Sequence, residues 1–243
     1  MGAAVVRRFC LEGALVCASG LQPDALDELA QQTGAMAAHC DVTDDGAIRT
    51  LVAQLVERHG RLDIVVNAAG VVVVDDAADI DDAVWQRTHE VNLGGAMRVC
   101  RAALPVMQRQ RCGVIVNISS VAAFNANAGM ASYAASKAGL VAYTRALANR
   151  YGADGIRANC LAPGWIRTPM STAEFQETAA AQGSTPAAIE SAVADRIALR
   201  RIGTVGEMAD CVLFLASDES TFVTGAVLVA DGGARTPAAA RAH

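Results

Sequence analysis

The chain is poor in aromatic residues, at 4%, and has only four histidines and six prolines among 243 residues. Its core must therefore be filled by Ala, Val, Leu and Ile, a composition suited to parallel strands buried on both faces by helices. No basic stripe is present and the formal net charge is -5, which argues against a nucleic-acid partner. No uninterrupted apolar run reaches the length of a membrane span, so no membrane association is expected. Arg7 and Arg8 near the start are not followed by an apolar run with a cleavage pattern, so the segment does not read as a signal peptide. The seven cysteines are scattered and form no CxxC pair, which excludes the common zinc frameworks. His39 adjoins Cys40, but neighbours on a strand point to opposite faces, and no metal site is expected. Buried thiols in a reducing cytoplasm are the simpler reading. A GxSxG elbow is also lacking, which leaves a serine hydrolase without support.

What the chain does have is alternation. Apolar runs at Ala14–Ala18, Met36–Cys40, Leu62–Val66, Val114–Ile118, Ile156–Leu161 and Val227–Val229 read as strands. Between them lie helical stretches at Asp24–Gln32, Asp44–His59, Ile80–Arg109, Ser132–Tyr151 and Gly206–Ser217. Pro23 opens the first of these and Gly34 stands just past its end. This order predicts an α/β fold with a doubly wound, Rossmann-like parallel sheet flanked by helices, in one domain over residues 1–243. Strand C-terminal ends then share one edge, where ligands bind. Residues 170–201 follow a Pro-Gly break and read as a helical lid; residues 236–243 read as a frayed tail. The acidic run Asp75, Asp76, Asp79, Asp81 and Asp82 lacks calcium-loop spacing and reads as solvated loop and helix start. His89 reads as a structural helix residue.

The strongest chemical signal is Tyr133-Ala-Ala-Ser-Lys137. Tyr and Lys four residues apart share a helix face, and an ammonium beside a phenol favours the phenolate and lowers its pKa. Tyr133 is thus a candidate general acid/base, although such a pair is more often incidental when it stands alone. Here Ser120 ends the VIVNISS strand thirteen residues upstream, and Asn92 sits in EVNLGG. Asn67-Ala68-Ala69-Gly70 and Asp41-Val42 end two further strands, and Pro163-Gly164-Trp165-Ile166-Arg167-Thr168 ends a fourth.

With CDVTD, VNAAG, VNL, VNISS, YAASK, NCLAPGWIRTPM and RRIGTVGEMADCVLFLASDES in this order, the chain resembles the short-chain dehydrogenase/reductase family from Gly2 to about Gly233. The resemblance implies that Tyr133 exchanges a proton, Lys137 holds the nicotinamide ribose and tunes Tyr133, Ser120 orients the substrate oxygen, and Asn92 supports a water relay. It implies cofactor contacts from Gly2, Asp41, Val42, Asn67, Ala69, Gly70, Ile166 and Thr168. Two departures stand out. Only Gly2 maps onto the family's TGxxxGxG loop, so the first strand and most of that loop, roughly 15 residues, are missing from the sequence as written. The neighbouring strand edges must then be exposed, pair with each other, or pair with another chain. A start upstream of Met1, or a catalytically weak relative serving as a binding or structural subunit, would each account for this. Ala68 also replaces a second Asn.

The acidic residue that selects NAD at the end of the second strand is replaced by Gly20, with no basic residue after it, so NAD and NADP both remain open. The implied substrate is a small secondary alcohol or ketone. Arg111 stands where carrier-protein ketoreductases of the family show a basic residue, but Asp154 stands where they often show Arg, which argues against an acyl-carrier partner. The long helices, with small residues such as Ala102 and Ala146, are the expected faces of a homodimer or homotetramer.

Overall fold

The structure, a computed structural model, describes residues 1–126 and 129–234. The expected frayed tail lies outside the described residues. Strands and helices alternate as α1 (Gly2–Leu11), β1 (Cys17–Gly20), α2 (Pro23–Thr33), β2 (Met36–His39), α3 (Asp45–His59), β3 (Ile64–Asn67), α4 (Asp82–His89), α5 (Ala96–Gln110), β4 (Gly113–Ile118), α6 (Ala131–Tyr151), β5 (Ile156–Pro163), α7 (Pro169–Gln182), α8 (Pro186–Ala194), α9 (Val205–Ala216) and β6 (Val227–Ala230). All strand pairings are parallel, as βαβ crossovers require.

The sheet is in two parts. One has the order β1-β2 and the other β3-β4-β5-β6, and β1 and β3 do not pair with each other. Helix α1 ties the parts together. Its Val5 and Phe9 enter the core formed by Val116, Leu161, Met208 and Val212, whereas Val6 packs with Ala18, Leu29 and Ala35 against the two-stranded part. The opposite face of the four-stranded part is closed by α5 and α6, whose Cys100, Ala103, Met107 and Leu147 meet Val65, Ile115 and Ile156. Burial on both faces explains why β4 and β5 are almost continuously apolar.

Local chemistry sets the element ends. Gly34 takes φ 75° and closes α2 in the left-handed conformation that only glycine enters without strain. Thr204 and Glu207 form a reciprocal capping box that starts α9. Two expected boundaries shift. The Ala14–Ala18 strand is observed at Cys17–Gly20, because its partner β2 begins at Met36, opposite Cys17. The Ile80–Arg109 helix starts only at Asp82, capped by the Asp81 carboxylate, and is interrupted by a π-helical turn over Glu90–Gly95. That turn contains Gly94 and Gly95, and at Gly95 a Cβ would lie 2.7 Å from a methyl of Val42. The close approach of β2's end to this turn therefore needs a glycine.

Candidate active site

At the C-terminal ends of β3, β4 and β5 lies a cavity of about 440 Å³. Its walls include Gly2 at the start of α1, Ala68 and Gly70 after β3, Ser120 after β4, Tyr133 and Lys137 on α6, and Ile166 and Thr168 after β5. Seven of the twelve sequence-predicted positions thus meet at one place, and Asn92, Asp41, Val42, Asn67 and Ala69 are not among the lining residues.

Tyr133 and Lys137 occupy the first two turns of α6. Ser120 lies close enough to the Tyr133 hydroxyl to pull its pKa down, and its Oγ accepts from the Ala122 amide at 3.1 Å. The neighbouring Ser119 Oγ is committed elsewhere, donating to the Lys137 carbonyl at 3.0 Å. Lys137 is 4% exposed, and its Nζ donates to the Ile118 carbonyl at 2.9 Å. Burial brings its pKa down to about 8, with Cys160 opposing weakly. The ammonium lies 5.7 Å from the centroid of the Tyr133 ring.

One expectation is corrected here. Tyr133 is not lowered: burial pushes its hydroxyl up, the neighbouring Ser120 pulls it down, and the Glu174 carboxylate pushes it up further. The ammonium that was expected to lower it faces the ring and a backbone carbonyl and is itself desolvated.

Asn92 sits on the π-helical turn, a common place for functional side chains. It is 1% exposed. Its Oδ1 accepts from the Val71 amide at 2.8 Å, and its Nδ2 donates to the Val71 carbonyl at 2.9 Å and to Ser136 Oγ at 3.0 Å. Ser136 Oγ donates in turn to the Tyr133 carbonyl at 2.7 Å. Asn92 therefore ties the Gly70–Val71 strand extension to the turn that carries Tyr133. Both amide protons are committed, so in this arrangement only a second lone pair on Oδ1 is left for the expected water relay.

The other expected contacts divide. Asn67 turns into the sheet, donating to Asn117 Oδ1 at 2.8 Å and to Cys100 Sγ at 3.4 Å, so its carboxamide bolts β3 to β4 and does not line the cavity. Val42 packs on Gly95, and Ala69 is exposed; neither is among the lining residues. Asp41 also stands apart from the cavity. It accepts from the Thr43 amide and hydroxyl, both at 2.8 Å, and these bonds hold its carboxyl below the ordinary carboxylate range. Thr168 caps α7 in a box with Ser171, while Ile166 packs under Gly203.

Residues that the sequence did not single out complete the site. Met130, Trp165, Met170 and Glu174 line its outer part. Met170 and Glu174 are four apart at the start of α7, and that spacing on a helix could have marked them as one face. Asp75 is also corrected: it is not a solvated loop residue. Its carboxylate accepts from the Ala131 amide at 2.7 Å and the Ser132 amide at 3.0 Å, capping α6 two residues before Tyr133.

The residues present fit a nicotinamide cofactor at this cavity. Lys137 spends one of its three N–H donors on Ile118, and beside it Gly70 leaves open a position where a Cβ would come within 3.3 Å of both Lys137 Nζ and Asn92 Oδ1. That bare backbone is the cradle a ribose needs, with a buried cation to bond its hydroxyls.

Comparison with known proteins agrees. A family model described as enoyl-(acyl carrier protein) reductase matches residues 1–235. The 3-oxoacyl-[acyl-carrier-protein] reductase FabG of Thermotoga maritima is 38% identical over 238 residues, 96% of this chain and 92% of that protein. Meso-2,3-butanediol dehydrogenase of Serratia marcescens is 36% identical over 239 residues, 96% and 90% of the two chains. A solved Burkholderia xenovorans protein assigned to the short-chain dehydrogenases/reductases superposes with a TM-score of 0.84 at 36% identity, covering all of this chain and 91% of the other. The chain belongs to the short-chain dehydrogenase/reductase family of NAD(P)-dependent oxidoreductases.

Proposed function

We propose that the chain interconverts a small secondary alcohol and a ketone, with Tyr133 as the general acid/base. The observation that carries this reading is the meeting of Ser120, Tyr133 and Lys137 in one cavity wall, with the Lys137 ammonium 5.7 Å from the centroid of the tyrosine ring. Bound NAD or NADP would supply the hydride acceptor or donor. Ser120 Oγ and Tyr133 Oη hold the substrate oxygen; Tyr133 as the phenolate takes its proton during oxidation, and as the phenol gives one during reduction. The positive charge on Lys137, close to the ring, stabilises the phenolate that forms. Lys137, Gly70, Ile166 and Thr168 would hold the nicotinamide end, and Gly2 would stand at the pyrophosphate, where a helix N-terminus favours an anion. Asn92 and Ser136 act as positioning residues that fix the turn bearing Tyr133.

NAD and NADP are both retained as cofactors, because Gly20 ends β1 without a carboxylate. Helices α7 and α8 serve as the lid over the substrate. A carrier-protein partner is disfavoured, although the Thermotoga relative is named for such a substrate. Arg111 is neutralised by Asp154 at 2.7 Å, so no free basic patch is offered at that place. A homodimer or homotetramer through α5 and α6 is supported by a groove between them lined by Leu104, Pro105, Tyr143 and Tyr151. Among the described residues no helix is long and apolar enough to cross a membrane.

The test is turnover of a panel of secondary alcohols and ketones with each coenzyme, alongside fluorescence titration of NADH and NADPH. Coenzyme-linked turnover is expected. Saturable coenzyme binding without any turnover would instead favour a catalytically weak binding subunit.

A further inference from the structure

Glu174 is the only acidic side chain among the described residues lining the cavity. It is half-buried on α7, yet among the described residues no hydrogen bond or ion pair reaches its carboxylate. Asp75 and Glu190, by contrast, have partners in the first turn of α6 and in Arg167. Among the described residues Lys137 is the only basic side chain lining the cavity, and it donates to the Ile118 carbonyl beside the tyrosine ring.

A partly desolvated carboxylate without a partner is costly to keep charged, and burial together with Glu177 pushes the Glu174 carboxyl up. The position is rigid. The Thr168–Ser171 capping box fixes the start of α7, and Phe175, next to Glu174, stacks on Trp165 with ring centroids 5.2 Å apart. Glu174 and Tyr133 line the same cavity, so a substrate whose oxygen meets Tyr133 can present a second group to Glu174. Val72, Val121, Ala122 and Met130 add apolar lining.

Resting on the oxidoreductase reading above, we propose that Glu174 is a specificity-determining residue that receives the cationic amine of an amine-bearing secondary alcohol or ketone and turns away anionic substrates. The amine changes no bonds. With oxidised NAD or NADP bound as hydride acceptor, the carbinol would give its hydroxyl proton to the Tyr133 phenolate, and the amine would stay protonated beside the Glu174 carboxylate. An ammonium placed there removes the cost of the lone carboxylate, whereas a substrate carboxylate, phosphate or sulfonate would add to it.

The probes are three alcohols of nearly one shape at neutral pH: 2-butanol, 1-amino-2-propanol and 3-hydroxybutyrate. Wild type is expected to rank them cation, neutral, anion by kcat/KM. Glu174→Gln should shrink the cation-to-anion ratio by about 10- to 100-fold, and Glu174→Asp should keep its direction. Glu174→Lys should invert the order. A ratio that Glu174→Gln leaves unmoved would overturn the assignment while the oxidoreductase reading stands. A wild-type preference for the anion would do the same, and that arm holds even if the variants fold poorly. Failure of wild type to turn over any alcohol of the wider panel would refute the oxidoreductase reading, and this assignment with it.

Discussion

Replacing Lys137 by methionine tests what it costs to place a charge beside Tyr133. Methionine fills a similar volume without the ammonium. In the unfolded chain the lysine keeps its proton up to about its ordinary value of 10.5; in the fold burial brings that down to about 8. Between these values the unfolded state binds more protons, so the lysine's contribution makes stability rise with pH in that window. Below it the penalty is at its full size, corresponding to roughly 3 kcal/mol for a lysine that is 4% exposed. Against this stands the lost hydrogen bond to Ile118, worth about 1 kcal/mol. Lys137→Met should therefore be more stable than wild type by about 2 kcal/mol near pH 7, and this gain should vanish or reverse by about pH 10.5. The comparison of the two proteins cancels the buried thiols and Tyr133, whose raised pKa values act in the opposite sense above about pH 9. Urea unfolding of both proteins across pH 6–11 reads the difference directly. A difference that does not depend on pH, or a variant less stable at pH 7, would refute the reasoning that Lys137 is held at an energetic cost. Turnover should be lost in either case, which is the pattern of a site kept for function and not for stability.

Three further outcomes are expected. Asp75→Ala removes the acceptor for two amides at the start of α6, and should lower stability by about 1–2 kcal/mol and reduce kcat, with partial recovery in Asp75→Asn; thermal melts and steady-state rates check this. Gly70→Ala places a methyl 3.3 Å from Lys137 Nζ and Asn92 Oδ1, and should weaken coenzyme binding at least about tenfold with little change in melting temperature, as fluorescence titration would show. Gly20→Asp puts a carboxylate at the end of β1, where no Cβ contact closer than 4.0 Å stands in the way, and should shift the NADH-to-NADPH affinity ratio toward NADH by about tenfold or more.

The parts of the site legible in the sequence are those fixed by local spacing. Tyr133 and Lys137 share a helix face because they are four residues apart, and Ser120 ends a strand, so the chain's order of motifs was enough to bring them to one edge. Side chains whose role depends on distant partners were misread. Asn67 stands beside the cofactor edge in sequence, but the parallel register sets it against Asn117, and its amide is used across the strands. Asp75 looked solvated because its partners lie 56 and 57 residues further on. The long helix over Ile80–Arg109 was expected from periodicity; a π-helical turn breaks it where Gly95 meets Val42, a contact no helical pattern contains. The gap between β1 and β3 follows the sequence reading, which left those two edges without a partner between them; they remain unpaired with each other. Glu174 lay within the predicted lid, but which face of α7 turns inward depends on how Trp165 and Phe175 dock, and that is tertiary information.

The most direct test of the central claim is Tyr133→Phe, with turnover and coenzyme affinity measured on the same preparation. The substitution removes only the hydroxyl next to Ser120, leaving the ring beside Lys137. The account predicts NAD(P)H binding within about threefold of wild type and a loss of kcat of at least about a hundredfold, the size expected for removing a general acid/base. Near-wild-type turnover by the phenylalanine variant would contradict it.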